Sequence, residues 1–336
     1  MSLPGIRAVP TLTYHQTIPP FTEHFSETDG DDSIDQGPAG GWAWDGRASS
    51  AHEQAALPLL SSYEMANASP VAAIARLKQS PNAARFREAF GEHVLDDPPL
   101  AWNALLLALE VFQQSPQDFY PYTSKYDAYL RGQITLRKDE ERGLALFNDP
   151  LKGNCAACHP SAIKRGAFPQ FTDNGFIALG VPRNAAIAAN RQRGYFDLGL
   201  CGPIRTDLKG RPEYCGLFKT PTLRNVALRH AFFHNGAFHT LEAAVRFYSE
   251  RDVHPEKYYP RRKDGRVRKF DDLPSDYWTN INTDAPFTNG DKKAALSNAE
   301  IRDVVAFLLT LTDGYVPTKA AKRPAERVGR GPGQAR

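Results

Sequence analysis

Four cysteines and two methionines are all that this chain of 336 residues contains. Long apolar runs are missing as well. No stretch approaches the ~18 consecutive apolar residues of a membrane-crossing helix, and "ALLLALEVF" (104–112) reads as a buried helix. The opening "MSLPGIRAVP" has neither the basic start nor the apolar core of a secretion signal. An excess of one charge is equally absent. Lys and Arg number 41 against 38 Asp and Glu, a net +3 that gives no argument for nucleic acid. Much of that excess falls in "TKAAKRPAERVGRGPGQAR", so residues 317–336 read as a disordered basic tail.

What is present points to a soluble protein. Hydrophobic residues make up 41% and charged residues 24%, enough for a real core, and the length suits about two domains. Residues 1–50 have little periodic pattern, and "ETDGDDSIDQGPAGG" reads as an acidic loop. Helical patterns begin near Ser50, where "SAHEQAAL" opens with a good cap and Pro58 interrupts. They continue through "VAAIARLKQ", "NAARFREAFG", "PLAWNALLLALEVFQQ" and "KDEERGLALF", and return in "TLEAAVRFYSE" and "NAEIRDVVAFLLTLT". Strand patterns are sparse. The fold class is therefore mainly α with long loops, the longest being a Gly/Pro-rich passage over 160–238. Loops of that length in a compact domain imply that they wrap something. A bound cofactor would supply the missing core.

The segment "GNCAACHPS" (153–161) offers one. C-x-x-C-H is the attachment pattern of c-type haem: Cys155 and Cys158 form thioethers and His159 becomes the proximal iron ligand. One turn presents both sulfurs to one porphyrin edge and leaves the next side chain beneath the iron. Half of a zinc site is the rival reading, but Cys201 and Cys215 are fourteen apart and form no second C-x-x-C. A redox dithiol is another, without the βαβ pattern that would surround it. Bacteria attach haem c outside the cytoplasm, which predicts a periplasmic protein. Oxidising surroundings leave Cys201 and Cys215 open to either a disulfide or two free buried thiols.

"GGWAWDGRASSAHEQAALPLLSSYEMAN", "GNCAACH", "FTDNGF" and "GLFKTPTLRNVALRHAFFHNGAFHTLEAAVRFY" together, over about 40–315, resemble the di-haem bacterial cytochrome c peroxidases and the related MauG-type enzymes. The resemblance implies two cytochrome c-like domains, here 1–135 without its own C-x-x-C-H and 136–316 with one. In that family one haem reacts with peroxide and the other receives electrons. Trp44 matches the tryptophan between the haems, Gln54 and Glu64 the polar pair above the peroxide site, and Pro58 a proline lining it. Glu64 would move a proton between the peroxide oxygens, and Gln54 would hold the bound oxygen species.

The chain also departs from the family. No cysteine precedes Trp44, and "GIRAVPTLTY" resembles the segment that follows the first haem motif in relatives. The expectation is an N-terminally truncated form, with the missing piece just before Met1. The family's distal ligand, methionine in peroxidases and tyrosine in MauG-type members, is expected just before the H-D-G position, where this chain has Phe233. His230 and His234 are the nearest alternatives, His234 reading as structural, and Met65 belongs to the other site. Calcium is an implied cofactor, but Ala8 replaces its asparagine ligand, leaving carbonyls around Thr220. The basic run "KYYPRRKDGRVRK" (257–269) reads as a solvated loop, or as a docking site for an acidic donor. The expected function is a haem c peroxidase that reduces hydrogen peroxide with electrons from a small cytochrome c or cupredoxin. A mono-haem electron carrier and a MauG-like protein-modifying oxidase are the alternatives, and a homodimer is compatible with the sequence.

Overall fold

The computed structural model describes residues 5–26, 35–287 and 293–316. The basic tail and part of the acidic loop lie outside the described residues. The fold is mainly helical, as expected. Helices α1 (Ala51–Leu60), α2 (Pro70–Lys78), α3 (Ala83–Phe90) and α4 (Pro98–Phe112) form the first half. A short turn of helix, α5 (Pro116–Phe119), follows, then α6 (Lys125–Leu130) and α7 (Lys138–Asn148). Far along the chain come α8 (Leu241–Glu250) and α9 (Asn298–Leu309).

Local chemistry sets these boundaries. The Ser50 hydroxyl accepts from Glu53 N at the start of α1, and Asp97 accepts from Leu100 N at the start of α4, where Pro98 opens the first turn. Ser124 with Asp127, and Ser297 with Glu300, close reciprocal capping boxes on α6 and α9.

Two small cores hold the first half together: Ile74, Phe86, Leu95 and Ala101 in one, Ala55, Leu59 and Leu106 in the other. A larger one joins Phe147, Phe171, Ile301, Val304 and Phe307. Tyr126 of α6 is part of it, and its backbone N–H reaches Thr310 O at 3.0 Å. The stretches 1–135 and 136–316 thus share a core. Helices α7 and α9 touch backbone to backbone at Gly143, where a Cβ would sit 1.9 Å from Asp303 O. Only glycine permits that approach.

The long passage 160–238 contains one two-residue antiparallel ladder, β1 (Phe176–Ile177) with β2 (Phe218–Lys219), pairing Phe176 with Lys219. Elsewhere its carbonyls accept from backbone N–H groups in turns and isolated bridges, and a few from guanidinium groups. Arg183 donates to Asn190 O and Tyr195 O, and Arg224 to Pro169 O. Cys201 and Cys215 are joined by a disulfide within this passage.

Residues 5–26 run across both halves and are pinned to them. Arg7 bridges Asp45 at 2.7 Å and Asp197 at 2.6 Å, Ala8 N donates to His234 O, and Tyr14 Oη to Asp313. Burial works against both charges, yet Arg7 holds Asp197 below the usual carboxylate range.

Candidate functional site

The C-x-x-C-H segment leaves α7 through Asn154, whose φ of 46° lies in the left-handed region that asparagine tolerates. Cys155–Ala157 then make a single 3₁₀ turn, closed by Cys158 N to Cys155 O at 3.3 Å, and His159 N reaches the same carbonyl at 2.8 Å. Both cysteines are free of disulfide. Burial pushes the Cys155 thiol up to about 12 and the Cys158 thiol up to about 11, the latter helped by Asp173. These are inert thiols, unlike those of a redox dithiol.

His159 Nδ1 lies 2.7 Å from the Phe171 carbonyl. A carbonyl can only accept, so Nδ1 carries the proton and Nε2 keeps its lone pair. Burial also lowers the His159 pKa and keeps the ring neutral. An imidazole oriented through its other nitrogen in this way is arranged as a metal ligand. Phe171 is itself fixed, being fully buried.

Both cysteines and His159 line a cavity of about 660 Å³. Phe147, Phe232, Leu241, Val304 and Leu308 provide apolar wall, and Lys219 and Arg229 provide a basic lobe beside His15. Lys219 Nζ donates to Gly41 O at 2.6 Å. Burial, partly opposed by Asp173, brings this lysine down to about 7. Burial together with Lys219 and Arg229 takes His15 down to about 3, and its buried Nδ1 has no partner. An apolar chamber with two unbonded cysteines, an imidazole and a basic lobe fits haem c. The porphyrin body needs the apolar wall, its vinyl groups the sulfurs, and its two carboxylates the cations.

Trp44 is in the wall of the same cavity, with Nε1 donating to Ala8 O at 2.7 Å. Gln54, half-buried on α1, and Glu64, exposed on the turn after it, do not line that cavity, nor does Pro58. The carboxylate expected in a dry pocket is therefore solvated in this structure.

Phe233 (φ 63°) lines the cavity but offers no ligating atom. The residue that sequence reasoning missed is Tyr248, 5.6 Å from the Phe233 ring and also in the cavity wall. Burial and both cysteines raise its pKa, so its hydroxyl keeps its proton. The pattern was available: Leu241, Ala244, Val245 and Tyr248 recur at i, i+3, i+4 and i+7 of α8, and all four line the cavity. His234 also lines the cavity and stacks on Phe218 with ring centroids 3.5 Å apart.

Calcium fits less well than haem. Ala8 has no side-chain oxygen and its carbonyl already accepts from Trp44, while Thr220 O accepts from Thr172 Oγ1 at 2.6 Å. The neighbouring residue is the buried Lys219, and no cluster of three or more His, Cys, Asp or Glu among the described residues could hold a metal ion.

The sequence profile of a family described as "Di-haem cytochrome c peroxidase" matches residues 4–135. MauG of Paracoccus denitrificans, a methylamine utilization protein, is 33% identical over 340 residues, covering 96% of this chain and 79% of the relative. The chain belongs to the di-haem cytochrome c peroxidase and MauG family. The cytochrome c551 peroxidase of Nitrosomonas europaea is 29% identical over 204 residues, 60% of this chain and 52% of that protein. Among solved structures, the diheme peroxidase BthA of Burkholderia thailandensis superposes with a TM-score of 0.81 at 36% identity, over 95% of this chain and 77% of that one. Family membership places the chain among the di-haem cytochrome c peroxidase and MauG-like oxidoreductases.

Proposed function

We propose that this chain is a periplasmic haem c peroxidase-type oxidoreductase that holds one porphyrin at Cys155, Cys158 and His159. Haem bound there would supply one-electron chemistry. Cys155 and Cys158 tether the porphyrin edge, and the Phe171 carbonyl, by taking the Nδ1 proton of His159, orients Nε2 as the proximal donor. The basic lobe of Lys219 and Arg229 neutralises the propionates, and the aromatic wall excludes water. Tyr248, in the cavity wall beside Phe233, would face the porphyrin in place of the tyrosine that resemblance assigns to MauG-type members. Hydrogen peroxide is the oxidant and a small redox protein the electron source, with Trp44 between the two halves and Gln54 and Glu64 serving the peroxide side.

One observation carries this reading: two unbonded cysteines and a neutral, oriented imidazole face a single large, mostly apolar chamber. A second reading, an electron-transfer role for this haem without peroxide turnover, draws on Gln54 and Glu64 lying away from that chamber. The test is export of the chain with a cytochrome c maturation system, followed by a pyridine haemochrome count, intact mass and peroxide turnover. One covalent haem lost in Cys155→Ala/Cys158→Ala, with peroxide consumed, is the expected outcome. Haem without turnover selects the carrier, and no Soret band and no added mass removes both.

A further inference from the structure

The run 257–269 is a built feature of the surface, not a loose chain. It carries seven Lys and Arg and a single Asp. Backbone bonds fold it into a hairpin: Arg262 N to Arg266 O at 2.8 Å, Arg268 N to Pro260 O at 2.8 Å, and a bridge between Arg261 and Val267. Gly265, at φ +81°, closes the turn with its N–H on Arg262 O. The base is anchored by Tyr259, buried, with its hydroxyl donating to Gly180 O.

Its charges divide into two sets. Lys257 and Lys269 at the base are neutralised by Glu250 at 2.7 Å and Asp252 at 2.6 Å. Arg266 has only a 4.0 Å contact to exposed Asp264. Arg261, Arg262, Lys263 and Arg268 are exposed and have no ion pair among the described residues. Cations needed for folding would sit at the base with partners; those at the tip face water on a rigid frame.

The hairpin also sits at the outer end of an aromatic stack. Tyr258 meets Phe247 at 5.3 Å, Phe247 meets Phe233 at 5.3 Å, and Phe233 meets Tyr248 at 5.6 Å. The last two rings line the cavity of Cys155 and His159. A redox protein held on the hairpin would thus stand beside the outer ring of a packed aromatic route to that cavity.

We infer that this hairpin is the docking surface for an acidic electron-donor protein, an inference that rests on the proposed haem site. Unpaired surface cations steer an oppositely charged partner and raise its association rate, an effect lost as salt shortens the screening length to ~10 Å at 0.1 M. Transient redox encounters need only a small interface, below ~1,200 Å².

The test uses the mature haem protein, an acidic cupredoxin as donor and a basic cytochrome c as control. Stopped-flow haem reduction and surface plasmon resonance follow transfer and binding separately. Expected is a fall of about tenfold or more in the acidic donor's rate and affinity between 20 and 200 mM salt. The triple variant Arg261→Glu, Arg262→Glu, Lys263→Glu should lose as much at low salt, while reduction by dithionite stays unchanged. An unchanged rate and affinity in the triple variant overturns the inference. So does wild-type retention on duplex DNA or phosphatidylserine vesicles that the variant loses while donor binding persists. Absent haem with salt-sensitive donor binding intact counts against the proposed function and leaves the hairpin's role supported.

Discussion

Replacing Arg224 by methionine tests how the haem segment is held. The Arg224 guanidinium is 1% exposed and pairs through both terminal nitrogens with Asp127, which is 0% exposed, at 3.0 and 3.1 Å. It also lies 4.5 Å from the ring centroids of both Tyr14 and Tyr122. Removing one partner of such a pair strands the other charge, at a cost of about 3–5 kcal/mol. Asp127 retains the Ser124 N–H and hydroxyl, which limits that loss, while the forfeited cation–π contacts add about 1 kcal/mol. Arg224→Met should therefore destabilise by about 4 kcal/mol, read from the urea midpoint at constant m. In a protein of this size the corresponding drop in Tm is roughly 6 °C. Arg224→Met with Asp127→Asn keeps the helix cap but removes the stranded charge, and should recover about half of the loss. A single-variant loss below about 1 kcal/mol, or a double variant no more stable than the single, would refute the reasoning.

Three further outcomes are expected. Tyr248→Phe should alter the haem absorption or electron paramagnetic resonance spectrum while leaving covalent haem content unchanged; an identical spectrum removes Tyr248 from the iron's surroundings. His15 titrates at about 3 instead of its ordinary 6.5, because burial and then Lys219 and Arg229 disfavour its charged form. The unfolded chain takes up that proton first, so stability should fall as pH drops from about 6.5 toward 3 and be level above, and His15→Phe should flatten the slope. Acid unfolding curves of the two proteins decide it. Glu64→Gln should lower peroxide turnover by about 10²–10⁴-fold without changing the spectrum of the His159 haem; unchanged kinetics remove Glu64 from proton transfer.

The attachment motif was legible because its chemistry is local. Two sulfurs and an imidazole within five residues need only one turn to reach a porphyrin, and the sequence spells that turn out. The helix start at Ser50 was similarly local, being set by a side chain that caps its own first turn. Fold class followed from these periodic stretches and from the scarcity of strand patterns. Among the groups brought to the cavity from elsewhere, resemblance named Trp44 and the α8 periodicity offered Tyr248, whereas His15 and Lys219 carried no signal. His15, Trp44, Lys219 and Tyr248 come from four distant parts of the chain. What unites them is packing between segments, and no spacing rule records which face of a loop turns inward. Nor could the exposure of Glu64 be read, because a residue's place in a motif does not reveal whether the surrounding walls close over it. Residue order determined what this protein attaches; only tertiary packing decided what surrounds the attached group, because burial is a property of neighbours distant in the chain.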